Sequence, residues 1–325
     1  MQKKKIMKAI DLQGEWIVKQ AFIVALLLIS CFVMVQPAAQ ATEGASSYYF
    51  PGSSTTFAVA VAPHPGYMVA NQMLIYSGSA EKAVLGGQTK LNLKASAVYN
   101  YMGGAYTFEK PVLGGKKLQI GAYIPVGYMD LEAQLADYSG KRNSSTRIGD
   151  AMVSAALFWK QGDFHYKLNQ TIMVPTGSYS KDQVANVGRN YWGFDTSLSM
   201  TWLNLKKGLE VSLTPGIMFN TRNTATDYKS GNEFHVDFAI NKHYFAKQYA
   251  VGLHGYYYHQ VSGDSGSGAK LGAFKGESFG IGPAILWTPK VAKGEVVVMA
   301  KWLHDFHNSN RLQGNYGVLT VAYKY

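Results

Sequence analysis

The stretch that decides the fold is Gly317-Val-Leu-Thr-Val-Ala-Tyr-Lys-Tyr325, at the end of the chain. Successive side chains of an extended strand point to opposite faces. One face of this stretch is apolar and aromatic and carries Leu319, Val321, Tyr323 and Tyr325. The other face carries Thr320, Ala322 and Lys324. The pattern predicts a β-strand with one apolar face, which fits either an edge strand of a soluble domain or a strand in the wall of a membrane barrel.

The aromatic end of this strand favours the barrel. An alternating strand that ends on an aromatic residue resembles the C-terminal signal by which bacterial outer-membrane barrels are recognised and inserted. We therefore expect Tyr323 and Tyr325 to act as an assembly signal. The partners that this implies are the barrel-assembly machinery and outer-membrane lipid.

The other end of the chain has the pattern of a secretory signal peptide. Five lysines occur within Met1–Gln20, an apolar run follows over Ala21–Val35, and Pro37-Ala-Ala-Gln-Ala41 supplies an A-x-A cleavage site. The apolar run is shorter than the roughly 18 residues that a spanning helix requires. We therefore predict a signal peptide over residues 1–41, cleavage before Thr42 and export through the periplasm. An alternative is lipidation at the single cysteine, Cys31, which lies in a lipoprotein-like box.

Composition agrees with a membrane barrel. The 325 residues are 47% hydrophobic and only 16% charged, with 34 glycines and 22 tyrosines. The formal charge of +11 includes +3 from the five lysines and two acidic residues of the signal peptide, which leaves +8. The remaining positive charge forms no cluster, so we expect no nucleic-acid partner.

The chain from Tyr67 onward alternates between strand patterns and turn signals, which predicts an all-β fold. The predicted strands are Tyr67–Ser77, Leu91–Phe108, Lys117–Leu131, Arg147–Lys160, Phe164–Val174, Tyr191–Leu203, Leu209–Phe219, Glu233–Asn241, Gln248–Val261, Glu277–Trp287, Glu295–Asp305 and Tyr316–Tyr325. Short connections alternate with longer polar ones such as Gly78–Lys90 and Glu132–Thr146. Short periplasmic turns and long outer loops are typical of outer-membrane barrels. We predict a transmembrane antiparallel barrel of about 12 strands over residues 66–325.

The segment that precedes the barrel is different. Thr42–Pro65 has three prolines and few alternating positions, which argues against a strand in the wall. We predict either a periplasmic extension or a plug-like segment in the mouth of the barrel.

The polar faces of the strands indicate which residues line the interior. In Tyr191–Leu203 the face that contains Asp195 lies opposite two tryptophans. In Gln248–Val261 an apolar face that includes Tyr257 lies opposite a polar one. We predict that the polar sides face a lumen and that the solute path includes Asp195, His254, Tyr256, Tyr258 and Gln260. Further inward groups are expected at Asn92, Lys94 and Asn100 and at His165, Lys167 and Asn169.

Several segments, taken in order, resemble the outer-membrane family named for phenol degradation by the meta pathway, including its sphingosine-induced relatives. They are Ala62-Pro-His-Pro-Gly-Tyr67, Val174-Pro-Thr-Gly-Ser-Tyr179, Asn186-Val-Gly-Arg-Asn-Tyr-Trp192 with Asp195, Gly255-Tyr-Tyr-Tyr-His-Gln260 with Gly263-Asp-Ser-Gly266, Phe279-Gly-Ile-Gly-Pro283 and Asn310-Arg-Leu-Gln-Gly314. The resemblance implies passive uptake of small hydrophobic or aromatic compounds across the outer membrane of a Gram-negative cell. It supplies no catalytic residues.

Two alternative functions remain. His307-Asn-Ser-Asn310 resembles the His/Ser pair of outer-membrane phospholipases and lipid A deacylases, which would make the protein a lipid hydrolase. Strand parity counted from Val296, Val298, Ala300 and Trp302 would give His307 and Ser309 the inward face, and we expect both in the last outer loop. We therefore predict that the protein is not an enzyme. The second alternative is a structural outer-membrane protein. The histidines have no metal-binding spacing, and we predict neither metal nor cofactor.

Overall fold

The computed structural model describes residues 43–85, 88–135, 138–183, 185–244, 248–273 and 275–325. The predicted signal peptide, Cys31 and Thr42 lie outside the described residues. In these ranges no helix has the length and apolar character needed to cross a membrane. The described helical structure is one 3-10 turn, Glu43–Ala45.

The described chain from Gly66 onward is built of antiparallel strands. They are β1 Gly66–Leu85, β2 Gln88–Thr107, β3 Lys117–Leu135, β4 Tyr138–Ile148, β5 Ala151–Gln161, β6 Phe164–Val174, β7 Gly193–Asn204, β8 Leu209–Asn220, β9 Arg222–Asn223, β10 Tyr228–Lys229, β11 Glu233–Tyr244, β12 Tyr249–Gln260, β13 Glu277–Trp287, β14 Glu295–Ser309 and β15 Gln313–Lys324.

The main sheet closes into a barrel because β1 pairs with both β2 and β15, and β2 also pairs with β3. On the edge opposite to β2, strand β3 has two partners along its length, β5 near its start and β4 towards its end. Strand β4 therefore extends the wall at one end and adds no further position to the ring. The closed ring has twelve antiparallel strands, which confirms the predicted fold class.

The bounds of β6 and β13 agree with the predicted ones, Phe164–Val174 and Glu277–Trp287. Two predicted outer loops are different. Most of Gly78–Lys90 continues the β1–β2 ladder, which reaches the Leu85–Gln88 pair. Most of Glu132–Thr146 is likewise the β3–β4 hairpin. Polar composition suggested loops there, but backbone pairing continues because each strand has an adjacent partner.

The terminal strand has the predicted faces. Leu319 and Val321 are exposed on the outside, whereas Thr320, Ala322 and Lys324 line an interior cavity. The prediction that the polar residues of β2 face inward was wrong, because Leu93 and Tyr99 are the buried, inward residues of this strand. Lys94 belongs to the alternate, outward set and is exposed. The inner face of this strand is apolar because it packs in the main core cluster with Tyr76 and Leu131.

Residues 43–65 contact inward-facing side chains of the barrel. The ring of Tyr49 stacks on His235 of β11, with centroids 4.0 Å apart. Phe57 packs against His254 of β12 at 5.0 Å. At the other end of the described segment, the N–H of Leu312 donates to the carbonyl of Ala45. Residues 43–65, which we call the inner segment, therefore occupy part of the interior along several strands.

Candidate permeation site

A tight turn in the N-terminal segment positions its aromatic residues. The N–H of Ser53 donates to the carbonyl of Phe50 at 2.9 Å, with Pro51 and Gly52 between them. Gly52 has a φ of 77°, which glycine adopts without steric cost and which suits the third position of a type II turn. A Cβ atom there would also lie 2.3 Å from Cδ1 of Leu303. The positive φ favours glycine at this position, and a larger residue would also force the Leu303 side chain to shift.

The turn and the chain after it bind to an acidic part of the wall. The carboxylate of Asp237 accepts hydrogen bonds from the Tyr49 hydroxyl and from the N–H of Ser54 at 2.6 Å. The carboxylate of Glu210 accepts one from the N–H of Ala58 at 2.8 Å. Both carboxylates are fully buried. Hydrogen bonding offsets the cost of burying them, so the segment and the acidic wall stabilise each other.

A lysine on a more distant strand holds the same turn. The Lys301 ammonium on β14 donates to the carbonyl oxygens of Gly52 and Thr55, the latter at 2.8 Å. Lys301 is 5% exposed. Its bonds to peptide oxygens hold the turn in addition to those of Asp237.

The turn places Phe50 against two tyrosines of β2. The Phe50 ring meets Tyr99 edge-on at 5.5 Å and Tyr101 at 6.5 Å. Edge-to-face pairs at such distances are favourable for aromatic rings. The three rings form an aromatic contact between the inner segment and the wall.

This contact lies between two cavities, since Tyr49 and Phe50 line both. One cavity has a volume of about 90 Å³ and is lined by Tyr76, Tyr99 and Tyr316 together with Arg189 and Arg311. The other measures about 470 Å³ and extends to Met68 and Lys324, near the short turns that are periplasmic in such barrels. We call them the outer and the inner cavity.

Of the five residues of the predicted solute path, Asp195 lines one of these two cavities, the inner one, and the other four line neither. Its carboxylate lies 2.9 Å from Nε2 of His235. His235 is itself buried under the Tyr49 ring. The Asp195 carboxylate thus faces the inner cavity, and one of its oxygens is already bound to His235.

The other four predicted path residues also point inward, but each is fully buried. Nε2 of His254 lies 3.0 Å from the side-chain oxygen of Asn241, and the Tyr256 hydroxyl donates to Asp305. Tyr258 lies under the Arg311 guanidinium at 3.8 Å. Gln260 donates to Asp264. Their side chains pack against the inner segment and the outer loops, and their role in a solute path stays a prediction.

The residues that separate the cavities were not predicted from the sequence. Phe50 lies in the segment before the barrel, for which the sequence predicts no aromatic contact. Tyr99 and Tyr101 lie on β2, whose polar face is predicted to be inward. The run Tyr48-Tyr-Phe-Pro-Gly52 was the available signal, since Pro-Gly marks a turn that would present the preceding aromatics.

The predicted assembly residues lie at the short-turn end of the barrel. The Tyr323 hydroxyl donates to the carbonyl of Lys293 at 3.2 Å. Tyr325 is 77% exposed, and its N–H donates to the carbonyl of Tyr67 at 2.8 Å. Both belong to the outward face, and the assembly role stays a prediction.

Two outer loops are joined above the barrel. Lys229 and Ser265 exchange backbone hydrogen bonds of 2.8 and 3.0 Å. The Asp264 carboxylate accepts from the Tyr228 hydroxyl and from the N–H of Gly231. Burial raises the pKa of Asp264 to about 7 despite these donors. This carboxyl group therefore titrates near neutral pH.

The position of the His–Ser pair corrects the expectation that it lies in a loop. Strand β14 continues to Ser309, and its register shifts so that Gly280 pairs with Asp305 but Phe279 pairs with His307. Phe306 is the extra residue of this β-bulge, which reverses the parity. His307 and Ser309 therefore share the outward face. Among the described residues no hydrogen bond joins them, and Ser309 Oγ accepts one from Asn310 Nδ2 at 3.0 Å.

No group of three or more His, Cys, Asp or Glu residues within the described ranges could hold a metal ion. The clustered acids and histidines instead pair with one another. Glu210, for example, lies 2.7 Å from Nε2 of His243.

A closed twelve-strand antiparallel barrel that is apolar outside and encloses two cavities has the architecture of a bacterial outer-membrane β-barrel. The chain belongs to the family described as "MetA-pathway of phenol degradation", and the model of this family matches residues 78–321. This confirms the resemblance found in the sequence.

Solved structures agree on the fold. The barrel is similar to an outer membrane channel from Pseudomonas putida F1, with 13% identity, a TM-score of 0.62, and coverage of 82% of this chain and 98% of that one. No curated protein matches the sequence.

Two further similarities are weaker. The β domain of the Bordetella autotransporter BrkA shares 11% identity at a TM-score of 0.46, covering 81% of this chain and 100% of that one. The CymD monoaromatic hydrocarbon channel shares 7% sequence identity at a TM-score of 0.39, and the match covers 81% of this chain and 89% of that one. No conclusion about this chain follows from these two.

Proposed function

We propose that the protein is a passive channel for small hydrophobic or aromatic compounds, which pass the aromatic contact of Phe50 with Tyr99 and Tyr101. The observation that carries this proposal is that Phe50 lines both the outer and the inner cavity. The inner cavity, at about 470 Å³, falls in the size range of small-molecule sites, about 300–1,000 Å³. Family membership supports the same class of solute.

The chemistry of the contact suits such solutes. Phe50, Tyr99 and Tyr101 present ring faces and edges on which an aromatic solute can stack. Tyr hydroxyl groups offer a hydrogen bond to a substituent. A small hydrated inorganic ion gains little from these rings, so the contact favours aromatic solutes over such ions.

The proposal includes the organisation of the chain. Residues 1–41 are a removed signal peptide, 42–65 a plug-like segment and 66–325 the barrel. Asp195 belongs to the solute path directly, whereas His254, Tyr256, Tyr258 and Gln260 support it from beneath the plug. Outer-membrane lipid and the barrel-assembly machinery are the other partners, the latter through Tyr323 and Tyr325. Transport requires no catalysis, and we propose that the protein is not an enzyme.

The test is uptake of a neutral aromatic compound such as benzamide into liposomes that contain the mature protein. Phe50→Ala should raise the flux because it removes the ring between the two cavities. Phe306→Ala is the matched control, since Phe306 is 62% exposed on the outside. Equal flux with and without the wild-type protein would overturn the proposal.

A further inference from the structure

One charged side chain faces the inner cavity without a charged partner. The charged residues in the lining are Lys167, Asp195 and Lys324. Asp195 is paired with His235 at 2.9 Å, and Lys324 with Glu295 at 3.2 Å. No carboxylate among the described residues forms an ion pair with Lys167. Residues on the inner face of such a barrel influence its selectivity, which makes this lysine a candidate contact for a solute.

The neighbours of Lys167 on the wall do not supply a negative charge. Its register partners are Phe158 on β5 and Ser199 on β7, and its Nζ lies 5.8 Å from the centre of the Phe158 ring. Asp195 pairs with Thr171, four residues farther along β6. Four residues of strand correspond to roughly 13 Å, which is too far for an ion pair.

The acidic part of the wall is not available either. The N-terminal segment lies between it and the cavity, with Asp237 bound by Ser54 and Glu210 bound by Ala58. The open space is thus bordered by neutral backbone and hydroxyl groups on one side. On the other side it is bordered by the strand that carries Lys167.

The lining nearest to Lys167 consists of hydroxyl and amide groups. Ser199 is its register partner on β7, and Asn169 lies two residues along the same face of β6. Met173 lies six residues from Lys167, roughly 20 Å along the strand, and Met152 pairs with Met173 at that distant level. A solute held beside Lys167 needs a negative group that also accepts hydrogen bonds, which a carboxylate supplies. The aromatic body of the solute follows from the proposed channel function.

We propose that Lys167 binds the carboxylate of an aromatic monocarboxylate in the inner cavity. This inference rests on the proposed channel function and specifies its solute class. The ammonium donates a charge-assisted hydrogen bond to the carboxylate. Asn169 lies two residues farther along the same face and offers a second polar group.

The test uses benzoate and benzamide, which have nearly the same shape but differ in charge. Binding to the detergent-solubilised mature protein is measured by calorimetry, and flux is measured in liposomes. The variants are Lys167→Met, Lys167→Gln and Lys167→Arg, with Lys94→Met, an exposed lysine on the outward face, as control. Heat-modifiable migration in electrophoresis identifies the folded variants.

Wild-type protein should bind benzoate more tightly than benzamide. Lys167→Met and Lys167→Gln should weaken benzoate binding by about tenfold or more, as expected for the loss of a hydrogen bond between charged groups, and should leave benzamide unchanged. Arginine should preserve most of the benzoate affinity. Lys94→Met should change neither.

The binding and flux measurements separate the two proposals. Benzamide flux that is present, with equal benzoate and benzamide affinity in the wild type, would overturn the Lys167 site and leave the channel standing. Absence of flux for both solutes would overturn the channel. Benzoate affinity that Lys167→Gln leaves intact would show that water alone solvates the lysine, and this too rejects the site.

Discussion

The Lys301 ammonium donates a hydrogen bond to the carbonyl oxygen of Thr55 at 2.8 Å, across 246 positions of sequence. Together with the bond from Lys301 to Gly52, this contact ties the inner segment to β14. The same turn is also bound by Asp237 of β11. The segment is therefore held between two parts of the wall, which suggests how it can be released.

Lys301→Met should loosen the N-terminal segment and leave the barrel assembled. Hydrogen bonds to charged groups contribute roughly 1.5–3 kcal/mol each, and the variant loses two of them. Single-channel recordings in planar bilayers should show a higher ion conductance. Lys206→Met, in an exposed turn, is the control; a conductance of Lys301→Met equal to that of the control would contradict the prediction.

Two adjacent tyrosines of β12 should differ in their contribution to stability. Tyr256→Phe deprives the fully buried Asp305 of a hydroxyl donor, and a buried group left short of a partner costs roughly 1–3 kcal/mol. Tyr257→Phe removes only a 3.1 Å bond to the outward Glu277 and should cost less. Urea unfolding in lipid vesicles measures both. The reverse order would mean that the strand faces the other way.

The joined outer loops should separate as the pH rises. The pKa of Asp264 is raised from 3.8 to about 7 in the folded loops, so the folded form binds the proton more tightly than the unfolded one. Its contribution is complete below about pH 4 and is lost as the pH rises through 7. The protection factors of the Lys229 and Gly231 amides, that is, the intrinsic exchange rate at each pH divided by the observed rate, should fall over this window.

Asp264→Asn should remove this pH dependence, because the amide does not ionise. Asp182→Asn, in another outer loop, should keep it. Asp227 does not contribute over this window, because its pKa is lowered to about 2 and it stays ionised above pH 4. The main cause of the lowered pKa is the hydrogen bond from the N–H of Ser267. Protection factors of the wild type that stay constant between pH 4 and 8 would refute the assignment to Asp264.

The outward His–Ser pair allows a direct test of the hydrolase alternative. A serine nucleophile needs a base within hydrogen-bond reach, and Ser309 is instead bonded to Asn310. We expect no release of fatty acid from phospholipid or lipid A vesicles by the wild-type protein. Release that Ser309→Ala abolishes would establish the hydrolase.

The sequence by itself determined the class of fold and much of the wall. Strand alternation is local, because neighbouring side chains such as Thr320 and Val321 must face opposite environments. The sequence therefore predicted twelve strands and the faces of β15. The same rule failed where a local assumption was wrong, as at the Phe306 bulge, which reverses the parity of His307 and Ser309.

Only the tertiary structure decided what fills the barrel. Ser54 and Asp237 are 183 positions apart, and no periodicity in the sequence relates the segment before the barrel to a particular wall. Their contact covers the acidic strands, leaves Lys167 facing open space and places Phe50 between two cavities. Local sequence sets the direction of each side chain, but its partner depends on barrel closure and on the path of the inner segment, which are non-local.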